Sequence, residues 1–271
     1  MPNLNVPTLA IITGASRGLG QSTAFQLAKR VDSGSVMYLT ARTQERLDET
    51  ARQIKQEILN EVEVRCVSAD LSNEDSIREM NRKIFETVGD VSRFSHAIII
   101  HNAASLGIIS KNAREMNDVP SIQQFFLLNM TAPIVMTSSF LKCTNGCRSS
   151  SLRQTVVQIT SLAGSRPQKL MHLYCAAKSG RDMFFRSMAV EGSKVRILTY
   201  EPGAIDTMMF KDALKTNDAE FRANLDRISG EDFFLSPKES ASVLVKLLEE
   251  DKYENADIVH CYDVLGLNVN V

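Results

Sequence analysis

An α/β fold, with a parallel sheet of about seven strands flanked by helices on both faces, is predicted by three features of the sequence. Short β-rich runs alternate with helix-compatible segments from one end to the other. Several of these runs are apolar at consecutive positions, the mark of strands buried on both faces, where alternation between core and solvent disappears. The first run leads directly into a glycine-rich turn and a helix-compatible segment, the order found where α/β sheets hold phosphates.

In chain order, the first strand is predicted over Thr8–Thr13, where Leu9 to Ile12 are apolar. Thr13-Gly14-Ala15-Ser16-Arg17-Gly18-Leu19-Gly20 follows, and a helix over Gly18–Arg30. Gly14 permits a tight turn, Gly18 lets backbone approach a phosphate, and Gly20 lets the helix pack on the sheet. Gly14, Ser16, Arg17, Gly18, Leu19 and Gly20 are therefore candidate cofactor-binding residues. The second strand, Ser35–Ala41, ends in Thr40-Ala41-Arg42-Thr43, with no carboxylate where NAD enzymes carry one for the ribose hydroxyls. Arg17 and Arg42 are donors for a 2′-phosphate, so the expected cofactor is NADPH/NADP+.

A helix over Gln44–Asn60 leads to a strand over Glu63–Ala69 and a helix over Asn73–Glu86. Asn73, Glu74 and Asp75 place an acceptor and negative charge at the start of that helix, where backbone N–H groups are unpaired. The fourth strand is His96–His101 and the next helix Ile122–Lys142, in which Asn129 is a polar residue within the apolar run Phe125 to Met130. A buried amide must find hydrogen-bond partners. A strand over Thr155–Thr160 places Ser161 at a strand's carboxyl end, where open α/β sheets bind ligands. A helix over Leu173–Glu191, a strand over Val195–Tyr200, a helix over Lys238–Glu250 and a strand over Asp257–His260 complete the pattern. Residues 104–121 and 204–236 are mixed in polarity and read as loops with short helices that cover a site.

With 271 residues and no repeat or linker, the expected organisation is one domain over residues 1–271. Hydrophobic residues at 44% and charged residues at 23% are ordinary globular usage, and a net charge of −1 gives no broad attraction to nucleic acid or anionic membranes. Cys66, Cys143, Cys147, Cys175 and Cys261 are odd in number and scattered, which reads as reduced thiols in a cytoplasmic protein. No His or second Cys pair lies near Cys143 and Cys147 to complete a zinc site, so no metal is expected. No apolar stretch approaches the ~18 residues of a membrane span.

Within the helix 173–191, Tyr174-Cys175-Ala176-Ala177-Lys178 sets a phenol and an ammonium one turn apart on one face. A cation beside the phenol is expected to draw its pKa from ~10 toward neutrality, which suits proton transfer to or from a carbonyl oxygen. Ser161 lies 13 residues earlier and has a hydroxyl to hold that oxygen.

The Gly-x-x-x-Gly-x-Gly turn, the serine, the Tyr-x-x-x-Lys pair and Glu201-Pro202-Gly203-Ala204-Ile205-Asp206-Thr207, in that order over nearly the whole chain, resemble the short-chain dehydrogenase/reductase family. The resemblance implies a Rossmann-like fold and an NADP-dependent oxidoreductase. It implies a catalytic tetrad of Asn129, Ser161, Tyr174 and Lys178, the asparagine holding a water that connects the lysine to solvent. Asp70, followed by Leu71, corresponds to the residue that binds the adenine amino group. Asn102-Ala103-Ala104 resembles the family's Asn-Ala-Gly turn, with alanine in place of glycine, so Ala104 is strained if the position needs positive φ. Pro202, Gly203, Ile205 and Thr207 correspond to the turn on the nicotinamide side, with Tyr174 and Lys178 also touching the cofactor.

Several segments look specifically like the pterin-reducing branch of the family: Thr13 through Gly18, Asn102 through Gly107, Leu173 through Lys178 with Arg181-Asp182-Met183, and Val259 through Asp263. In that branch a carboxylate near the C-terminus, here Asp263, anchors the guanidine-like edge of the pterin, and Leu106, Met171, Met208 and Met209 are available as apolar walls. The implied reaction reduces the ketone on the pterin C6 side chain, with Ser161 and Tyr174 on its oxygen. His172 reads as a surface histidine. Two further readings are a broader dicarbonyl reductase and an NADPH-binding regulator without chemistry. The resemblance also implies a homodimer through the 122–142 and 173–191 helices, whose apolar content exceeds one core-facing stripe.

Overall fold

A computed structural model describes residues 4–145, 152–192 and 194–269. Its elements run β1 (Thr8–Thr13), α1 (Gly18–Ala28), β2 (Val36–Ala41), α2 (Gln44–Glu57), β3 (Glu63–Ser68), α3 (Glu74–Thr87), β4 (His96–His101) and α4 (Val119–Phe126). They continue through α5 (Ala132–Asn145), β5 (Arg153–Ile159), α6 (His172–Ala189), β6 (Arg196–Glu201), α7 (Met208–Ala213), α8 (Ala219–Ser229), α9 (Pro237–Glu250), β7 (Ile258–His260) and α10 (Cys261–Leu265). The seven strands form one sheet in the order β3-β2-β1-β4-β5-β6-β7, and all neighbours are parallel.

The consecutive apolar runs fill two cores, because successive side chains of a strand point to opposite faces. From β1, Ala10 and Ile12 join Leu27 of α1, Leu47 and Ile54 of α2 and Leu244 of α9. Leu9 and Ile11 join Ile77 and Ile84 of α3, Met136 and Phe140 of α5 and Phe185 of α6. The sheet is thus the middle of three layers, as the sequence predicts. Edge strand β3, covered less, is exposed at Glu63 and Ser68.

Helix starts follow their capping residues. The Asn73 side chain accepts from the Ser76 N–H, as expected, and Ser236 with Glu239 forms a reciprocal capping box ahead of Pro237. The expected helix Ile122–Lys142 begins earlier, at Val119, because Asp118 caps it and Pro120 fits its first turn. A π-helical turn, Leu127–Thr131, also divides it into α4 and α5. By length and composition alone the helical run Val119–Asn145 is apolar enough to cross a membrane, where the sequence reading expected no such stretch. In the fold, its Phe125, Asn129, Met136 and Phe140 are buried.

Cys66, Cys143, Cys175 and Cys261 are free thiols, Cys147 lies outside the described residues, and no metal-binding cluster occurs among the described residues.

Candidate active site

In the sheet, β1 and β4 are neighbours although the chain passes through β2 and β3 between them, so the connections diverge there and leave a crevice at the carboxyl ends of the strands. A cleft of about 1660 Å³ opens at this end. A single ligand usually occupies ~300–1,000 Å³, so the cleft has room for a cofactor and a substrate together.

One wall is the glycine turn. Gly14 and Gly18 have φ of 68° and 57°, conformations that favour glycine. Arg17 is the N-cap of α1, and no side chain caps that helix end. Its first N–H groups therefore face the cleft as anion donors. Gly20 does not line the cleft. A Cβ there would stand 2.4 Å from both the Gly14 carbonyl oxygen and Asn102 Nδ2, so its role is to let these groups close beneath the turn rather than to touch a ligand. Asn102 Nδ2 donates to the carbonyls of Thr13 (2.9 Å) and Gly14 (3.2 Å), and the Thr13 hydroxyl accepts from the N–H groups of Asn102 and Ala103, both at 3.0 Å. Ala104 does not have positive φ, so the alanine there is unstrained.

Ser16, Arg17 and Leu19 line the cleft with Arg42 and, unforeseen from the sequence, Arg46 one turn into α2. The three arginines are exposed. Asp70 accepts from the Ser72 N–H (2.9 Å) and hydroxyl (2.7 Å), bonds that lower its pKa against the opposing effect of burial; Leu71 beside it is buried. On the opposite wall, Pro202, Gly203, Ile205 and Thr207 follow β6. Tyr262 underlies this turn: its hydroxyl accepts from the Ala204 N–H at 2.6 Å, and a Cβ on Gly203 would meet its ring at 2.8 Å. The Thr207 hydroxyl accepts from the Phe210 N–H and caps α7.

The four expected reacting residues come from three elements: Ser161, Tyr174 and Lys178 line the cleft together, and Asn129 does not line it. Tyr174 and Lys178 lie on α6, both buried, with Lys178 Nζ 5.3 Å from the phenol ring centre and donating to the Ile159 carbonyl at 2.7 Å. Ser161 follows β5, where its hydroxyl accepts from the Ala163 N–H at 3.3 Å and lines the same cleft as Tyr174. Asn129 sits in the π-turn, 1% exposed, where Nδ2 donates to the Phe125 carbonyl (3.0 Å) and Oδ1 accepts from the Ser105 N–H (3.2 Å). The expectation of an acidified phenol is not met. Burial pushes Tyr174 up to about 12 and outweighs the positive charge of Arg181 and the Ser161 hydroxyl. Burial and Arg181 likewise push Lys178 well below its ordinary range, with Asp182 opposing. Neighbours in sequence do bring phenol and amine together, but desolvation disfavours the charged form of each.

Behind them is a buried network. Arg181, fully buried, donates from Nε to Gln158 Oε1 (2.8 Å) and from Nη2 to the His101 carbonyl (3.1 Å). Asp182 accepts from Gln158 Nε2 and from the Thr160 hydroxyl (2.8 Å).

At the substrate end, Leu106, Met171, Met208 and Met209 line the cleft, as do Asp263 on α10 and two residues not foreseen, Arg166 and His260. The segment 204–236 leaves at Ile205 and returns at Leu235, where the two pair as an isolated bridge, and it carries α7 and α8 over the cleft. His172 is exposed and lies outside the cleft lining.

A family model described as "short chain dehydrogenase" matches residues 8–218. The chain is 34% identical over 260 residues to a sepiapterin reductase of Rattus norvegicus, covering 94% of this chain and 97% of that protein. It is 29% identical over 262 residues to a benzil reductase of Bacillus subtilis, covering 94% and 98%. The structure of an L-sorbose reductase of Gluconobacter frateurii, solved with NADPH and L-sorbose, superposes with a TM-score of 0.77 at 23% identity, covering 96% and 97% of the two chains.

Proposed function

The chain belongs to the short-chain dehydrogenase family, and from that premise we propose that it is an NADPH-dependent carbonyl reductase whose substrate is a pterin with a ketone on its C6 side chain. Sepiapterin, reduced to dihydrobiopterin, and a 6-pyruvoyl tetrahydropterin, reduced to tetrahydrobiopterin, are the expected substrates. The observation that carries this reading is that Asp263 and Tyr174 line one cleft, with the apolar residues Leu106, Met171 and Met208 along it. A carboxylate accepts paired hydrogen bonds from an amino-pyrimidine edge, and apolar walls suit a flat ring.

The cleft fits the cofactor. An uncapped helix start, two glycines in positive φ and three exposed arginines where a carboxylate would repel a 2′-phosphate are the features a phosphorylated dinucleotide requires. Arg17, Arg42 and Arg46 would hold the phosphates, Asp70 the adenine end, and the Pro202–Thr207 turn the nicotinamide end. When bound, NADPH supplies the hydride. The chain's own part is to orient the ketone oxygen through the Ser161 hydroxyl and to give it the Tyr174 proton. A phenol that keeps its proton suits reduction, since the donor is loaded throughout the neutral range.

Following NADPH absorbance with sepiapterin tests the reading. Tyr174→Phe is expected to lose about 10²- to 10⁴-fold in kcat while still binding NADPH. Asp263→Ala is expected to raise KM about tenfold with a smaller change in kcat. A parent protein that binds NADPH but does not reduce sepiapterin overturns the proposal. The similarity to benzil reductase favours a second reading, reduction of dicarbonyls, which predicts benzil turnover insensitive to Asp263→Ala. Free thiols suit a reducing cytoplasmic setting.

A further inference from the structure

The charged groups Glu201, His260, Asp263 and Arg166 all line the cleft at its substrate end. His260 closes β7 and is the residue before α10, three positions from Asp263. Its Nδ1 faces Glu201 Oε2 at 3.5 Å, while Glu201 Oε1 accepts from the Gly203 N–H at 3.1 Å. Glu201 is buried and faces the imidazole through Nδ1, and this is the one hydrogen bond shown for the His260 ring among the described residues. Resting on the pterin reading above, we propose that His260 is a specificity-determining residue whose Nε2–H, in the same cleft as the Asp263 carboxylate, donates to an acceptor atom on the edge of the bound aminopyrimidinone ring.

The edge chemistry calls for such a donor. A 2-amino-4-oxo pyrimidine presents two adjacent N–H groups flanked on one side by a carbonyl oxygen and on the other by a ring nitrogen lone pair. A carboxylate satisfies the two donors and leaves the flanking acceptors unmatched, and a buried acceptor without a partner costs binding free energy. A second N–H beside that carboxylate meets an acceptor in either orientation of the ring. A simple diketone has no such edge.

The placement of Glu201 makes this donor depend on pH. A neutral imidazole carries one proton, and with a carboxylate oxygen before Nδ1 that proton resides on Nδ1, leaving Nε2 a bare acceptor. Only the imidazolium has N–H at both positions. Among the described residues, the charged groups acting on His260 are Glu201 from β6, Asp263 from α10 and Arg166 from the segment after β5. The Glu201 hydrogen bond raises its pKa above 6.5 against burial, Glu201 and Asp263 add to this through their charge, and Arg166 opposes it. A raised pKa means the donor is present below it and lost as pH rises through it.

The test is the KM for sepiapterin between pH 6 and pH 9, with NADPH saturating. In the parent, KM is expected to rise about tenfold across this range, while the KM for a small α-diketone stays level. His260→Gln, whose amide N–H does not titrate, is expected to flatten the sepiapterin profile, and His260→Leu to hold KM at the high value throughout. A level parent profile, or His260→Leu matching the parent at pH 6, overturns the proposal. Binding of a fluorescent pterin lacking the ketone to the NADP+ complex separates this outcome from failure of the functional reading. Tighter binding at pH 6 that His260→Leu abolishes supports the proposal even without turnover, and binding equal at both pH values overturns it even with turnover.

Discussion

Tyr174 and Arg181 show how burial decides the chemistry of single residues. The phenol stands at about 12 because it is desolvated, and the strongest opposing influence is the charge of Arg181, two turns further along α6. The tyrosine is therefore expected to keep its proton in the ligand-free protein. Subtracting the ultraviolet phenolate titration of Tyr174→Phe from that of the parent should leave no ionisation below about pH 11, and a difference step near neutrality would contradict this. Burial also draws Arg181 down to about 10, with Tyr174 and Asp182 opposing. Replacing Arg181 with methionine leaves Asp182 with Lys178 alone as a cationic neighbour and leaves Gln158 Oε1 and the His101 carbonyl without the donor they share. The expected cost, from buried acceptors left unpaired, is about 1–3 kcal/mol in a denaturant titration. A loss below about 1 kcal/mol would mean the network relaxes without the guanidinium.

At the scale of elements, the glycine turn separates two reasons for glycine. Gly20→Ala would drive a Cβ into the Gly14 carbonyl and Asn102 Nδ2, so the turn must deform. A loss of about 1–3 kcal/mol in stability and at least about tenfold weaker NADPH binding are expected. Gly34 also has positive φ, 81°, but nothing lies within 4 Å of its would-be Cβ. Gly34→Ala should cost only about 1 kcal/mol and leave the dinucleotide affinity intact, as fluorescence titration of both variants would show. The sequence made β1, β4 and the glycine turn legible because local pattern and burial agree there. It did not show the π-turn around Asn129, since a shift from i→i+4 to i→i+5 bonding leaves the side-chain pattern almost unchanged. Arg46 carried a usable signal, being one turn from Arg42 at the start of α2. The raised Tyr174 and the Glu201–His260 contact had none, because both depend on segments brought together only by the fold. Ala104 carried a warning that the backbone does not bear out.

At the scale of the whole molecule, three layers account for one face of each helix, and the outer faces of two helices remain to be explained. α5 and α6 bury Met136, Phe140, Phe185 and Met188 against the sheet, yet Val135 and Met183 are exposed at 38% and 63%, and Val190 just beyond α6 at 84%. Val119, at the start of the same helical run as α5, is 59% exposed. Single exposed apolar side chains are ordinary on a protein surface, but these fall on two consecutive long helices whose inner faces already satisfy the core. A second copy of the chain would cover them, since a two-fold contact presents the same face twice, and a stable interface needs about 800 Å² from each partner. Sedimentation at micromolar concentration should give twice the mass of one chain. Combining Val135→Glu with Met183→Glu should yield a monomer that still binds NADPH, because neither residue lines the cleft. A parent that sediments as a monomer at tens of micromolar would remove the dimer, and a double variant that stays dimeric would move the interface to another face.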